Sequence, residues 1–149
     1  MARIEKVNAE LIPMALKMRR EMLGLIYERD EGSFEGEFSD LTEDFFKNGD
    51  QTTVLAFDGE DPIGCATICY IALMPTVDHP GGKRAHIMNV YVRRKHRRQG
   101  IAREMLSFIL DEAKRRGVSY VSLDATEQGK PLYKALGFDD NHENMGITL

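Results

Sequence analysis

The most informative stretch of the sequence runs from Val90 to Ala102 and reads VYVRRKHRRQGIA. An apolar strand leads through a basic loop to Gly100, after which apolar side chains recur at helical spacing. The loop therefore lies where a helix begins, beside unpaired backbone N–H groups and the positive end of the helix dipole. Because Gly100 has no Cβ atom, a ligand can approach its backbone closely. Together these features predict a binding site for a phosphate or pyrophosphate.

Outward from this stretch, the pattern predicts alternating strands and helices. Strands are expected at residues 3–7, 52–57, 63–73, 85–92 and 120–124, with one or two more in 138–149. Helices are expected from near Pro13, from a cap at Ser39 through Phe46, at 100–116 and at 131–136, with a loop over 28–38. Because no repeat or linker interrupts this order, we expect one α/β domain spanning residues 1–149.

Composition points to a globular protein of the cytoplasm. Of 149 residues, 42% are hydrophobic and 30% are charged. No apolar run approaches the ~20 residues that a membrane span needs, and the N-terminus lacks an apolar signal region. Cys65 and Cys69 fall in one predicted strand, too far apart for a disulfide and at the wrong spacing for zinc, so both are expected to be buried core thiols.

Charge is distributed unevenly along the chain. Residues 83–103 hold eight basic side chains and no acidic one, whereas residues 28–50 hold nine acidic and two basic side chains. The first segment suits a polyanion and the second a cation. The formal net charge of −4 argues against a general nucleic-acid-binding protein.

The basic loop resembles the acyl-CoA-binding motif of the GCN5-related N-acetyltransferase (GNAT) family, which is Arg or Gln, two residues, Gly, one residue, then Gly or Ala. The residues that match this motif are Arg97, Arg98, Gln99, Gly100, Ile101 and Ala102. Residues 123–138 resemble the family's second signature, with the pair Leu132-Tyr133 in a short helix and then Gly137-Phe138. The two signatures occur in the family's order, and the resemblance covers roughly the last two-thirds of the chain.

The resemblance implies a mixed, mostly antiparallel sheet flanked by helices, and the transfer of an acetyl group from acetyl-CoA to a primary amine without a metal. The strand Val90-Tyr91-Val92 would pair its backbone with the pantetheine arm and supply an N–H to the oxyanion. The turn from Arg97 to Arg103 would hold the pyrophosphate. Tyr133 would protonate the leaving thiolate, since its phenol is close in acidity to a thiol. Thr126 stands where the family often has asparagine, and it would make fewer hydrogen bonds to the cofactor than asparagine does.

Other interpretations of these residues remain open. Tyr133 on its own fits a core aromatic, and His86 fits a structural histidine better than a general base. His79, His96 and His142 carry no motif and are expected at the surface. The acidic stretch is by default a solvated helix and loop.

Two other classes of function compete with the enzyme. A non-catalytic CoA-binding sensor would keep the basic loop but would not turn over substrate. The presence of Tyr133 argues against this class. A nucleic-acid-binding protein would use the basic run, but that run lacks interleaved aromatic residues for base stacking. For the enzyme, the acceptor classes are a small cationic amine, a polyamine, an antibiotic amine, an amino acid, and a protein N-terminus or lysine. Homodimers are common for such folds.

Overall fold

Strands and helices alternate along the chain in the computed structural model, which describes residues 2–140 and 144–149. The strands are β1 (Arg3–Lys6), β2 (Gln51–Asp58), β3 (Asp61–Ala72), β4 (Lys83–Val92) and β5 (Tyr120–Leu123). The helices are α1 (Ile12–Tyr27), α2 (Glu37–Asn48), α3 (Ile101–Arg115) and α4 (Lys130–Ala135). Short 3-10 turns lie at Ala9–Leu11, Glu31–Phe34 and Arg94–His96. No helix in these parts of the chain has both the length and the apolar character to cross a bilayer.

The five strands form one sheet in the order β1-β2-β3-β4-β5. The pairs from β1 to β4 are antiparallel, whereas β4 and β5 are parallel. The β2–β3 hairpin turns at Gly59, whose φ of +61° is open to glycine without steric cost. A parallel pair requires a longer crossover, which α3 supplies between β4 and β5. The predicted class, a mixed and mostly antiparallel sheet flanked by helices, is confirmed.

Helices cover both faces of this sheet. On one face, α3 packs against the strands through the buried side chains of Met105, Leu106 and Ile109. On the other face, α1 and α2 bury Met18 and Phe46. Full burial of a side chain of this size stabilises the fold by about 1.5–3 kcal/mol. The end of β4 therefore lies between two helical layers.

Helix α2 begins three residues earlier than the sequence predicts. Its first residue is Glu37, and Gly36, with a φ of +82°, occupies the N-cap position without a side-chain cap. The backbone N–H of Asp40 donates to the Gly36 carbonyl at 3.0 Å. Ser39 is therefore inside the first turn rather than at the cap, and its Oγ accepts a hydrogen bond from Arg20 Nη1 at 3.5 Å. The side-chain cap predicted at Ser39 does not form, because Gly36 provides the turn into the helix.

The predicted strands near the C-terminus are not found in the described residues. Residues 138–140 and 144–149 have no strand or helix, and residues 141–143 lie outside the described part of the chain. Met145, Ile147 and Leu149 alternate with small or polar residues, which is the pattern that predicted a strand, but all three are exposed. Alternation produces a strand only where a neighbouring strand or core covers the apolar side chains.

The two cysteines of β3 differ in burial, and the prediction of two buried thiols is correct only for Cys65. Cys65 Sγ donates to the Asn89 carbonyl at 3.3 Å, and burial raises its pKa to about 12. Cys69 is half-buried because it borders a groove beside α2. Burial raises the pKa of Cys69 as well, so both thiols are protonated at neutral pH.

Candidate functional site

A β-bulge at Asn89 separates the last residues of β4 from β5. Three steps along β4, from Met88 to Tyr91, lie opposite two steps along β3, and Asn89 has a φ of +62°. The pairing of β4 with β5 ends at Ile87 and Leu123. The stretch from Val90 to Val92 therefore has no strand partner on its β5 side among the described residues. Bulges end pairing in this way next to functional sites.

Polar contacts hold the Asn89 bulge in place. Its Nδ2 donates to Thr67 Oγ1 at 3.1 Å, and its Oδ1 accepts from Arg19 Nη1 at 3.1 Å. Asparagine enters the left-handed region more readily than most residues, but the buried amide still needs these partners. The side-chain contacts of Asn89 thus fix where β4 leaves β5.

The loop after β4 presents an uncapped helix start. Arg98 and Gly100 have φ values of +63° and +81°, and α3 begins at Ile101 with no side-chain cap. Backbone N–H groups in the first turn of such a helix have no intrahelical acceptor. Arg98 and Arg103 are exposed and form no ion pair with any described residue. Free N–H groups beside unpaired cations at a helix N-terminus form a site suited to phosphate.

Two arginines of the basic run have structural partners instead. Arg97 Nε donates to the Val92 carbonyl at 2.9 Å, which ties the loop to the end of β4. Arg93 forms ion pairs with Glu21 at 2.9 Å and Asp61 at 3.1 Å, and the bond to Glu21 raises the pKa of Arg93. The run is therefore less strongly cationic toward a ligand than its sequence suggests.

Thr126 and Tyr133 lie next to each other at the start of α4. A Cβ atom on Gly129 would come within 2.9 Å of Tyr133 Cε2 and 3.4 Å of Thr126 Oγ1. Thr126 Oγ1 accepts from the Gly129 N–H at 3.2 Å, which leaves its hydroxyl hydrogen free to donate to a ligand. The turn into α4 therefore brings the Thr126 hydroxyl close to the edge of the Tyr133 ring.

Tyr133 shares a hydrophobic cluster with the end of β4 and the start of α3. Its ring packs, as does Val90, against the cluster that contains Ile101 and Met105, and its centroid lies 6.0 Å from that of Phe138. Tyr133 is half-buried, and its hydroxyl makes no hydrogen bond to a described residue. Burial raises the pKa of Tyr133, so the phenol is protonated at neutral pH.

Tyr91 has its side chain on the opposite face of the sheet. It packs in the cluster beneath α1, and a hydrogen bond with Glu21 adds to burial in raising the pKa of Tyr91 to about 12. Only the backbone of Tyr91 belongs to the open edge of β4.

A groove that sequence reasoning missed lies on this opposite face, between α1, α2 and the sheet. We call it the α2 groove; its volume is about 300 Å³, and its walls include Phe38, Leu41, Phe45 and Met88. Arg19, Thr42, Thr67 and Asn89 form its polar part. The groove therefore meets the open edge of β4 at the bulge. Its lining residues lie in α1, α2, β3 and β4, and an asparagine within an apolar strand pattern was the one local signal for it.

None of the acidic residues in the segment 28–50 lines the α2 groove. Most of these carboxylates are exposed to solvent, including Glu35, Glu37 and Asp40. The expected contrast between an acidic and a basic region is therefore present in the sequence, but the acidic side chains do not form the walls of this groove.

The described histidines have defined partners. His86 Nδ1 lies 2.8 Å from Ser122 Oγ and its Nε2 lies 3.7 Å from Asp124 Oδ2, so both ring nitrogens are engaged. His79 and His96 are half-buried rather than at the surface, because His79 bonds Ser119 and His96 faces Asp58. His142 lies outside the described residues. In the described part of the chain, no cluster of three His, Cys, Asp or Glu side chains could hold a metal ion.

Comparison with known proteins links this geometry to one family. Residues 19–138 match the sequence profile of the acetyltransferase (GNAT) family. No curated protein matches the chain significantly. The fold is similar to that of a predicted acetyltransferase from Clostridium acetobutylicum, solved with acetyl-CoA, at 26% identity and a TM-score of 0.86 over 99% of this chain and 96% of that one.

Two further solved structures share the fold at lower identity. A GCN5-related N-acetyltransferase from Ralstonia eutropha is 24% identical with a TM-score of 0.83, and the match covers 99% of each chain. A glucosamine-6-phosphate N-acetyltransferase from Arabidopsis thaliana is 20% identical with a TM-score of 0.74, over 99% of this chain and 98% of that one.

Proposed function

The chain belongs to the acetyltransferase (GNAT) family, and from that membership we propose that it moves the acetyl group of acetyl-CoA to a primary amine by direct attack on the thioester. The observation that carries the proposal is the uncapped start of α3, which directly follows the β4 edge that has no β5 partner. Val90 of this edge and Tyr133 both pack against the hydrophobic cluster that contains Ile101, the first residue of α3.

The β4–α3 segment suits the two halves of the CoA moiety. The backbone of Val90, Tyr91 and Val92 offers strand-type hydrogen bonds to the amide groups of a pantetheine arm. The N–H groups of Ile101, Ala102 and Arg103, with Arg98 and Gln99 alongside, offer donors and charge to the pyrophosphate. Gly100 gives the turn its positive φ, while Arg97 fastens it to Val92. Thr126 contributes its free hydroxyl hydrogen near the start of α4.

Acetyl transfer requires a neutral amine, because an ammonium ion has no lone pair. An alkylamine has a pKa near ~10.4, so one proton must leave to water before attack. The nitrogen then forms a bond to the carbonyl carbon, and a backbone N–H at the end of β4 stabilises the negative oxygen that results. As the carbon–sulfur bond breaks, Tyr133 gives its phenolic proton to the departing thiolate. The attacking nitrogen loses its second proton to water, and Tyr133 regains a proton from water, which leaves a neutral amide and CoA thiol.

The α2 groove is the proposed acceptor site. It lies across the sheet from α3 and reaches the open edge of β4 at Asn89. An amine in the groove would therefore approach the thioester from the face opposite the hydrophobic cluster around Tyr133. His86 lies on β4 opposite Cys69, which borders the groove, but its hydrogen bond to Ser122 and its proximity to Asp124 favour a structural role.

The proposal is tested by a panel of primary amines with acetyl-CoA, in which free CoA is measured as released thiol and acetylated products are identified by mass spectrometry. We expect release of CoA above the hydrolysis rate for at least one amine, with the acetyl group on its nitrogen. Tight binding of acetyl-CoA without transfer to any amine would instead support the non-catalytic CoA-binding module.

A cationic acceptor would be attracted by the acidic segment only at long range, because its carboxylates lie outside the α2 groove. For such an amine, we expect the Glu35→Gln, Glu37→Gln double variant to raise the KM about two- to fivefold at low salt. The effect should disappear at 1 M salt, where the Debye length falls to about 3 Å.

The control for this experiment is the Glu10→Gln, Glu60→Gln double variant, which removes two exposed charges outside the acidic segment. We expect its KM to stay at the wild-type value. Equal KM values for all three proteins at low salt would show that the acidic segment is only a solvated surface.

A further inference from the structure

Arg19 is a half-buried cation whose neighbours in the α2 groove are neutral. Its Nη1 donates to Asn89 Oδ1 at 3.1 Å, and its Cζ lies 5.8 Å from the centre of the Phe38 ring. Within residues 2–140 and 144–149, no carboxylate forms an ion pair with it. Burial lowers the pKa of Arg19, yet a guanidinium stays charged at neutral pH. A cation held this way has lost part of its hydration without gaining a counter-charge.

The remaining donors of Arg19 have no partner in the described part of the protein. Its Nε is buried and unpaired, and its Nη2 makes no hydrogen bond to a described residue. These two nitrogens form one edge of the planar guanidinium, which matches the two oxygens of a carboxylate. The bond from Nη1 to Asn89 fixes the plane of the group, so the free edge has a defined orientation.

Most of the remaining lining of the α2 groove is apolar, and its other polar side chains, Thr42 and Thr67, carry no charge. Phe38, Leu41, Phe45 and Met88 line it and are all partly exposed, with exposed fractions between 39% and 63%. Such side chains favour an apolar ligand group, and the volume of about 300 Å³ is that of a small ligand's pocket. A groove with a single cation among mostly apolar side chains can orient a ligand through one anionic group.

We propose that Arg19 binds a carboxylate of the acetyl acceptor, so that the acceptor is a small amine of the α-amino-acid type with an apolar side chain. This inference rests on the proposed function, in which the α2 groove receives the acceptor. The bound carboxylate supplies the counter-charge that Arg19 lacks, and the apolar side chain covers the aromatic wall. Asn89 then links recognition to catalysis, because the residue that orients Arg19 is also the bulge that opens β4.

The test compares amines that differ only by a carboxylate. L-phenylalanine is paired with phenethylamine and L-leucine with 3-methylbutylamine, and kcat/KM is measured for each. Wild-type protein should favour the carboxylate-bearing member of a pair, and Arg19→Gln should lower that preference by about 10- to 100-fold, the range expected for a hydrogen bond to a charged group. Because the ratio is compared between variants, differences in amine pKa within a pair cancel.

Two further variants separate recognition from structure. Arg19→Lys keeps the positive charge but not the planar pair of N–H donors. It should therefore retain part of the preference for the carboxylate-bearing amine. Arg20→Gln removes the neighbouring α1 arginine, which contacts Ser39 outside the groove lining, and should leave the preference unchanged. An Arg19→Gln protein that unfolds at the wild-type temperature, yet has lost the preference, would exclude a purely structural role.

A binding measurement distinguishes failure of this inference from failure of the proposed function. Protein saturated with CoA is titrated by calorimetry with N-acetyl-L-phenylalanine and with N-acetylphenethylamine. Tighter binding of the carboxylate-bearing product, lost in Arg19→Gln, supports the inference even if no amine in the panel is acetylated. Equal binding of the two products, or a preference that survives Arg19→Gln, overturns it even if other amines are acetylated.

Discussion

Tyr133→Phe is expected to lower turnover by about 100- to 10,000-fold, the usual contribution of general acid catalysis. The substitution removes only a hydroxyl group that has no hydrogen-bonding partner among the described residues, so the packing of the ring against Phe138 should survive. Stability and acetyl-CoA affinity should therefore match those of the wild type. Turnover is measured by thiol release with the best acceptor of the panel.

The pH dependence gives a second measure of the same role. Because burial raises the pKa of Tyr133 above its usual value of about 10, the acid form persists throughout the neutral range and is lost only as pH rises beyond that value. The wild-type rate should climb from pH 7 to 9 as the amine loses its proton, then fall at higher pH. In Tyr133→Phe the rate should still rise from pH 7 to 9, but it should not fall at higher pH.

The matched control is Tyr27→Phe, which removes a phenol hydroxyl from an exposed side chain at the end of α1. It should retain wild-type turnover. Near-wild-type turnover in Tyr133→Phe as well would assign protonation of the thiolate to water or to the substrate.

Gly100→Val is expected to weaken acetyl-CoA binding at least about 100-fold, which corresponds to about 2.7 kcal/mol. Valine tolerates the φ of +81° poorly, at a cost of about 1–3 kcal/mol, so the turn would shift away from the start of α3. Apart from the neighbours of Gly100 in sequence, no atom of the described residues lies within 4 Å of the position that a Cβ would take. The added side chain therefore projects into open space where a phosphate would approach, and calorimetry with acetyl-CoA measures the loss.

Gly36→Val serves as the control for backbone strain alone. Gly36 also has a positive φ, of +82°, and no described atom beyond its neighbours in sequence lies within 4 Å of the position that its Cβ would take, but it precedes α2, on the other face of the sheet from α3. The stability of this variant should fall by a similar amount while acetyl-CoA affinity is retained. If both variants bind acetyl-CoA equally well, the phosphate site does not lie at Gly100.

The β4–α3 unit was predictable because its signals are local. Alternating apolar residues before Val92, the glycine at position 100 and the helical repeat after it each follow from neighbours in sequence. The hairpin at Gly59 and the proline-started α4 are predictable for the same reason. The roles of Tyr133 and Thr126 came from family resemblance, since nothing in their spacing alone indicates catalysis.

The parts that escaped prediction depend on contacts between distant residues. Arg19 and Asn89 are 70 positions apart, and only the packing of α1 on the sheet brings them together. The bulge at Asn89 arises from the register of β4 on β3, which local patterns do not encode. The hydrogen bond from Arg97 Nε to the Val92 carbonyl likewise depends on the path of the loop, while a role of Arg97 in phosphate binding stays a prediction.

Residue-resolved amide hydrogen exchange of the wild-type protein, followed by NMR with and without acetyl-CoA, tests directly whether the open edge of β4 and the uncapped start of α3 hold acetyl-CoA. We expect slower exchange at the amides of Ile101, Ala102 and Arg103 and along Val90–Val92, with β1 unchanged. If bound acetyl-CoA leaves these amides unprotected and protects others instead, the cofactor does not bind at this edge.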